Sequence, residues 1–297
     1  MMRSLYSGVS GLKNHQTRMD VIANNISNVN TVGYKTSRVV FQDIFSQTSR
    51  AASASADTIG GTNPMQIGLG ITLSAIDMID TESAFARTDR PLDFAINGEG
   101  YFTIETPNET AYTRAGNFYI DDSNYLVNSS GYFVLGYAND NPDDNTWTPD
   151  TTGDLSRIQL GYLDDTDTEQ RYQNISIDKN GMITGKKITP SADPTQPSTE
   201  EIVTLGYLPL ATFNNTSGLE KTGNSLYRVS NNSGPATYNL PNTGGAGQIL
   251  GGGLEMSNVD LANEFTDMIV TQRGFQANAR IITVSDTMLE ELVNLKR

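Results

Sequence analysis

The sequence predicts a multidomain chain with long terminal α-helices forming a coiled-coil-like core domain and an all-β outer domain between them. Three observations carry this. Apolar residues recur every seventh position at both ends of the chain. Turn residues punctuate the middle at spacings of about eight to twelve residues. Gly- and Pro-rich stretches, at 60–64 and 244–253, separate the two patterns.

The C-terminal segment, read as a helix over 258–295, shows the heptad most clearly. Leu261, Met268, Phe275, Ile282 and Leu289 recur at intervals of seven, with Phe265, Ala279 and Val293 four residues further on. Gln272 and Asp286 interrupt this seam. A second stripe on another face holds Val270, Gly274, Ala277, Ile281, Val284, Met288 and Leu295. A helix with two apolar faces must bury both. The N-terminal segment offers one partner: Leu5, Leu12, Met19 and Ile26 repeat at seven, supported by Gly8 or Val9, Ile22 and Val29. We expect Leu5, Leu12, Met19 and Ile26 to meet Leu261, Phe265, Met268, Phe275, Ile282 and Leu289 within one chain. Val270, Gly274, Ala277, Ile281, Val284 and Met288 are then left for neighbouring subunits of a self-assembling protein. The plainer alternative is a pair of ordinary core helices in a globular enzyme.

In chain order, Ser4 is the expected N-cap of a helix running through about Val29. Gly8 and Gly11 each cost about 1 kcal/mol in a helix interior, which predicts close approach of another helix. Asn28 to Gly33 ends this helix with residues suited to a left-handed cap. Residues 34–70 read as an extended connector, with a disordered linker as the alternative. The connector holds an apolar knot (Val39, Val40, Phe41, Ile44, Phe45), a Ser/Ala run over 49–56, and later Met65, Ile67 and Leu69.

The outer domain spans 71–257. Alternating runs such as Tyr101-Phe102-Thr103-Ile104, Tyr112-Thr113-Arg114 and Phe133-Val134-Leu135 read as strands of a sandwich or barrel. Asn180-Gly181 predicts a type I′ hairpin turn. The acidic stretch 138–170, with the only Trp, Trp147, reads as a surface excursion, and no full extra outer domain is expected. Ser257, three residues before Asp260, resembles a capping box for the last helix. The terminal core domain thus takes 1–33 and 258–297.

Composition excludes several function classes. The net charge of −14 argues against nucleic acid and against an anionic membrane surface. The absence of Cys removes disulfides and thiolate chemistry. No apolar run is long enough to span a bilayer, so no membrane insertion is expected, and no apolar core of a cleaved secretory signal is visible. The single histidine, His15, excludes a multi-His metal site and reads as a polar helix residue. The 218–225 stretch has the glycine spacing of a phosphate loop, but Asn224 stands where Lys is required. Gly98-Glu99-Gly100 begins a dinucleotide-type pattern that Thr103 breaks. Asp121-Asp122, Asp143-Asp144 and the 164–167 cluster read as solvated loops, and the Asp178-Asn180-Gly181 group lacks the closing Glu of a calcium loop. No catalytic, metal-binding or cofactor-binding residue is assigned, and no cofactor is expected.

Longer motifs carry a resemblance. Ser4-Leu5-Tyr6-Ser7-Gly8-Val9-Ser10-Gly11-Leu12 and Asp20-Val21-Ile22-Ala23-Asn24-Asn25-Ile26-Ser27-Asn28-Val29-Asn30-Thr31-Val32-Gly33-Tyr34-Lys35 resemble the N-terminal signature of bacterial flagellar rod and hook proteins. Phe41-Gln42-Asp43, the 61–70 run and Tyr112-Thr113-Arg114-Ala115-Gly116-Asn117-Phe118 are similar to the hook branch. So are Ser257-Asn258-Val259-Asp260-Leu261 and Gln272-Arg273-Gly274-Phe275-Gln276-Ala277-Asn278, with the matching weakest over 138–170. The resemblance implies a non-enzymatic subunit of an extracellular tube, the flexible joint between rod and filament. It implies passage unfolded through the flagellar type III export apparatus. It also implies contacts with copies of itself, the rod, the hook cap and the hook–filament junction proteins. A distal rod subunit is the alternative within the family. A secreted β-domain enzyme or carbohydrate-binding module is the alternative outside it.

Overall fold

The structure is a computed structural model and describes residues 2–55, 60–139, 149, 154–163, 169–189 and 199–295. It divides into two compact units. The described residues within 1–29, 36–79 and 259–297 form one, and those within 30–35 and 80–258 form the other.

The first unit contains both helices, α1 (Met2–Ser27) and α2 (Leu261–Leu295). Helix α1 starts before Ser4, so Ser4 lies inside its first turn rather than capping it. Helix α2 starts after Asp260, and Asp260 itself is the cap. Its Oδ1 accepts the backbone N–H of Ala262 at 2.9 Å and of Asn263 at 3.4 Å, satisfying donors that the first turn leaves free. The expected role of Ser257 as cap partner is thereby replaced: its carbonyl accepts the Ser83 hydroxyl at 2.7 Å instead.

Residues 36–79 of this unit form two antiparallel hairpins. Strand β1 (Ser37–Asp43) pairs with β4 (Ile71–Met78), and β2 (Ser46–Arg50) pairs with β3 (Met65–Gly68). The apolar knot divides between them. Val39, Val40 and Phe41 are half-buried in β1, while Phe45, Met65 and Ile67 are exposed along the β2–β3 hairpin. Residues 71–79 thus pack in the helical unit.

The second unit is β-rich. Its main sheet is antiparallel, with strands in the order Gln173–Ile177, Met182–Thr189, Thr199–Tyr207, Phe133–Ala138, Phe102–Glu105, Thr110–Thr113, Leu226–Arg228 and Glu220–Gly223. The strand Phe133–Ala138 changes partner along its length, pairing with 104–105 at its start and 206–207 at its end. Its core is built from Phe94, Phe102, Phe118, Leu126, Val134, Ile183, Val203 and Leu205, all buried, with Phe102 and Phe118 edge to face at 5.2 Å.

Two sequence expectations change here. Ile158 and Leu160, inside the stretch read as a surface excursion, are buried in this core. Composition hid them, because two apolar side chains at alternate positions can face the core while the residues around them in sequence are polar. Trp147 and the Asp143-Asp144 and 164–167 clusters lie outside the described residues. The Asn180-Gly181 turn is not type I′. Gly181 alone takes positive φ, +77°, and its N–H donates to the Asp178 carbonyl at 2.9 Å, so the loop is a tight turn followed by a left-handed glycine.

A buried charge cluster anchors this unit. Glu255 Oε1 accepts from Lys35 Nζ at 2.8 Å and its Oε2 from Arg114 Nε at 2.7 Å. Arg114 also donates to the carbonyls of Gly98 at 2.7 Å and Gly100, which shape the turn before the strand Phe102–Glu105. Gly33, at φ +66°, sits where a Cβ would lie 2.8 Å from the Arg114 and Ala115 backbone. All three charged side chains are at most 3% exposed. Removing one member leaves an uncompensated buried charge, which costs about 3–5 kcal/mol. Arg114→Met should therefore lower the unfolding free energy of the full chain by that amount in a urea titration. A loss below about 1 kcal/mol, the value of an exposed pair, would contradict the packing described.

Candidate functional site

The helix pair carries the residues that the sequence singled out. The two helices run antiparallel. Gly8 faces Asn278 and Ile282, His15 faces Gly274, Arg18 pairs with Asp267 at 2.9 Å, and Asn25 Nδ2 donates to Glu264 Oε1 at 3.0 Å. The glycines allow this approach. A Cβ on Gly11 would lie 2.7 Å from the Asn278 amide, and one on Gly274 would lie 2.8 Å from the His15 ring.

The inward face of α2 is half apolar and half polar. Met268, Phe275, Ile282 and Leu289 are half-buried, as expected of the heptad. Their companions at the alternate steps are Glu264, Thr271, Asn278 and Ser285, of which Thr271 and Ser285 are buried. Leu5, Leu12, Met19 and Ile26 are half-buried on α1, and the deepest α1 side chains are Ile22 and Asn25. Phe265, expected in the same seam, is exposed at 49%, and Leu261 at 38%. Gly274, grouped with the outward stripe, lies against α1 of its own chain. The sequence reading missed the polar half because it searched for apolar companions four residues on. Glu264, Thr271, Asn278 and Ser285 themselves recur at seven, and that spacing was the available signal.

The outward stripe of α2 is bare. Val270, Ala277, Ile281, Val284 and Met288 are all exposed, together with Ile269, Leu292, Val293 and Leu295. Single exposed apolar residues are ordinary, but a continuous face of this kind marks an interaction site.

Burial shifts two titratable groups of the helix pair, His15 and Glu264. His15 packs edge-on to Phe41 at 5.9 Å, and its Nδ1 is buried without a hydrogen-bond partner. Burial, and then the Arg18 charge, hold the imidazole below its ordinary value of 6.5. Burial pushes the Glu264 carboxyl up, opposed by its bond from Asn25. Glu264 and Asp267 line a crevice with Arg18 and Asn25, but both carboxylates are engaged in joining the helices.

The chain matches three family descriptions. Residues 5–35 match the flagella basal body rod protein, 95–185 the flagellar hook protein FlgE/F/G D1 domain, and 250–295 the flagellar basal body rod FlgEFG protein C-terminal family. Relatives include the flagellar basal-body rod protein FlgG of Bacillus subtilis, 49% identical with both chains covered in full. FlgG of Caulobacter vibrioides is 34% identical over 99% of this chain and all of its own length. The flagellar hook protein FlgE of Borreliella burgdorferi is 33% identical, covering both chains in full over 444 aligned positions. That alignment exceeds the 297 residues here, so this hook relative holds sequence that the present chain lacks. The chain belongs to the flagellar rod and hook family of structural proteins. No helix among the described residues is long and apolar enough to cross a membrane.

The His15 environment yields a pH dependence. The folded helix pair favours the neutral imidazole, so the His15 contribution to its stability is complete above about pH 6.5 and falls as the pH drops below that value. Thermal melts followed at the helix signal should show a midpoint that declines below pH 6.5 in the native chain. The decline should flatten in His15→Gln, and an unchanged slope in that variant would assign the acid sensitivity elsewhere.

Proposed function

We propose that this chain is a self-assembling subunit of the flagellar hook, polymerising through the outward face of α2 into a tube that transmits torque from rod to filament. The observation that carries this reading is the bare stripe of Val270, Ala277, Ile281, Val284 and Met288, on a helix whose other face is already occupied by α1. Full burial of a Val, Ile or Met side chain contributes about 1.5–3 kcal/mol, and covering these, which are 44% to 55% exposed, supplies a fraction of that at each position, so copies of the same helices are the economical partner. The seam residues of α1 and α2 hold the subunit together and the outward stripe joins subunits. In this reading the helices form the coiled-coil-like wall of the tube.

The hook placement rests on the Phe41-Gln42-Asp43, 61–70 and 112–118 motifs. Its partners are then further copies of the chain, the rod, the hook cap, the hook–filament junction proteins and the type III export apparatus. In this reading it works outside the cell, without a cofactor or an enzymatic activity. A second reading, the distal rod, is favoured by the 49% identity and full mutual coverage with the Bacillus subtilis rod protein.

Gold-labelled antibody against residues 80–258, applied to isolated flagella, separates these readings. Decoration of the short curved segment supports the hook, decoration confined to the basal body supports the rod, and an undecorated intact organelle refutes both. At the residue level, Ile281→Asp should leave the β-rich unit folded and abolish polymerisation. Normal polymers from that variant would remove the α2 face from the interface.

A further inference from the structure

The charge cluster of the β-rich unit contains more than packing requires. Lys35 Nζ donates to Glu255 Oε1 at 2.8 Å and to the Thr81 carbonyl at 2.7 Å. Asp80 Oδ1 lies 3.3 Å from the same nitrogen, yet it is buried and accepts no hydrogen bond. The other Asp80 oxygen, Oδ2, accepts the Tyr101 hydroxyl at 2.7 Å. The side chains of Lys35, Asp80 and Glu255 are 1%, 11% and 3% exposed. Tyr101 walls the site with Tyr227 and Phe213, whose rings pack edge to face with it.

This arrangement holds an amine, a carboxyl carbon, a proton carrier and a hydrogen-bond donor to the second carboxyl oxygen, all away from water. We propose that Lys35 and Asp80 condense into an intramolecular isopeptide bond, with Glu255 as the proton shuttle. One ammonium proton passes from Lys35 to the Asp80 carboxylate, giving an amine and an acid. The Nζ lone pair then attacks Asp80 Cγ and the C–N bond forms. Tyr101 stabilises the charge that develops on Oδ2. Glu255, bonded to the nitrogen, takes a second proton from it and returns it to the departing hydroxyl, which leaves as water. The amide nitrogen keeps its last hydrogen, and no oxidant or other reactant is required.

Electrostatics favours the product. The site holds two cations, Lys35 and Arg114, against two carboxylates, Asp80 and Glu255, and desolvated ion pairs are costly. Condensation removes one charge of each sign and leaves the Arg114–Glu255 pair, joined at 2.7 Å, intact. The bond joins position 35, where the chain leaves the β-rich unit, to position 80, where it returns. A covalent link at those two points suits a subunit that bears mechanical load.

Intact mass spectrometry of the folded, then denatured, full-length chain tests this directly. The expected mass is one water below that of the sequence, and tandem spectra of a digest should show the Lys35 peptide joined to the Asp80 peptide. Lys35→Arg should restore the full mass, and Glu255→Gln should do so while circular dichroism still reports a folded β-rich unit. Asp80→Asn should lose one ammonia in place of water. A wild-type chain of full mass overturns the proposal, and so does a water loss that persists in Lys35→Arg.

Discussion

One desolvated carboxylate, Glu255, organises the β-rich unit. It draws Lys35 and Arg114 to within 2.8 Å from opposite regions of the chain. Its own backbone carbonyl accepts the Gly33 N–H at 2.9 Å, so the segment carrying Lys35 is fixed by backbone as well as by charge. Arg114 then uses its remaining donors on the carbonyls of Ile96, Gly98 and Gly100. Four separate segments are therefore positioned by a charge that cannot be left alone in a dry interior. The left-handed Gly33 follows from the same constraint, since any side chain there would displace Arg114. An apolar core fixes volume and burial, but such a cluster fixes which segments meet, because only the matched charges satisfy one another.

The helical unit solves a different problem. Its internal seam alternates Met268, Phe275, Ile282 and Leu289 with Glu264, Thr271, Asn278 and Ser285. A polar residue at a seam position lowers stability and specifies register. Asn278 lodged against Gly11, and Glu264 bonded to Asn25, each allow one alignment of the two helices. The more apolar face of α2 is turned away from α1. In the proposed polymer this division assigns register to the contacts inside a subunit and adhesion to the contacts between subunits. The net charge of −14 opposes that adhesion between free chains, which favours assembly only where subunits are concentrated and guided.

Elements with a period were legible in the sequence. Met268, Phe275, Ile282 and Leu289 were found because a helix repeats, and the strands around Phe102, Tyr112 and Val134 because a pleat alternates. The polar half of the helix seam was missed although it repeats as well, because the search was restricted to apolar types. The Lys35–Arg114–Glu255 cluster has no period at all. Three isolated charges, separated by 79 and 141 positions, look like surface residues until the fold removes their water. Ile158 and Leu160 were hidden for a related reason, because the composition of their acidic surroundings outweighed two buried side chains. The helix starts were displaced by two or three residues, since Ser4 and Ser257 are good caps and only the backbone decides whether a good cap is used.

The two units differ in how completely they bury what they carry. The β-rich unit covers Phe94, Phe102, Phe118 and Leu126 to 1% or less with its own residues, and its largest charges are paired inside it. The helical unit leaves Val270, Ile281, Val284 and Met288 44% to 55% exposed, and the seam that joins its two helices is rich in glycine and polar groups. A helix whose stability depends on covering its outward face gains that stability only in proportion to the concentration of what covers it. In the proposed polymer, the face that joins α2 to neighbouring copies also ties its order to their concentration, whereas the charge cluster of the β-rich unit draws on residues of one chain alone.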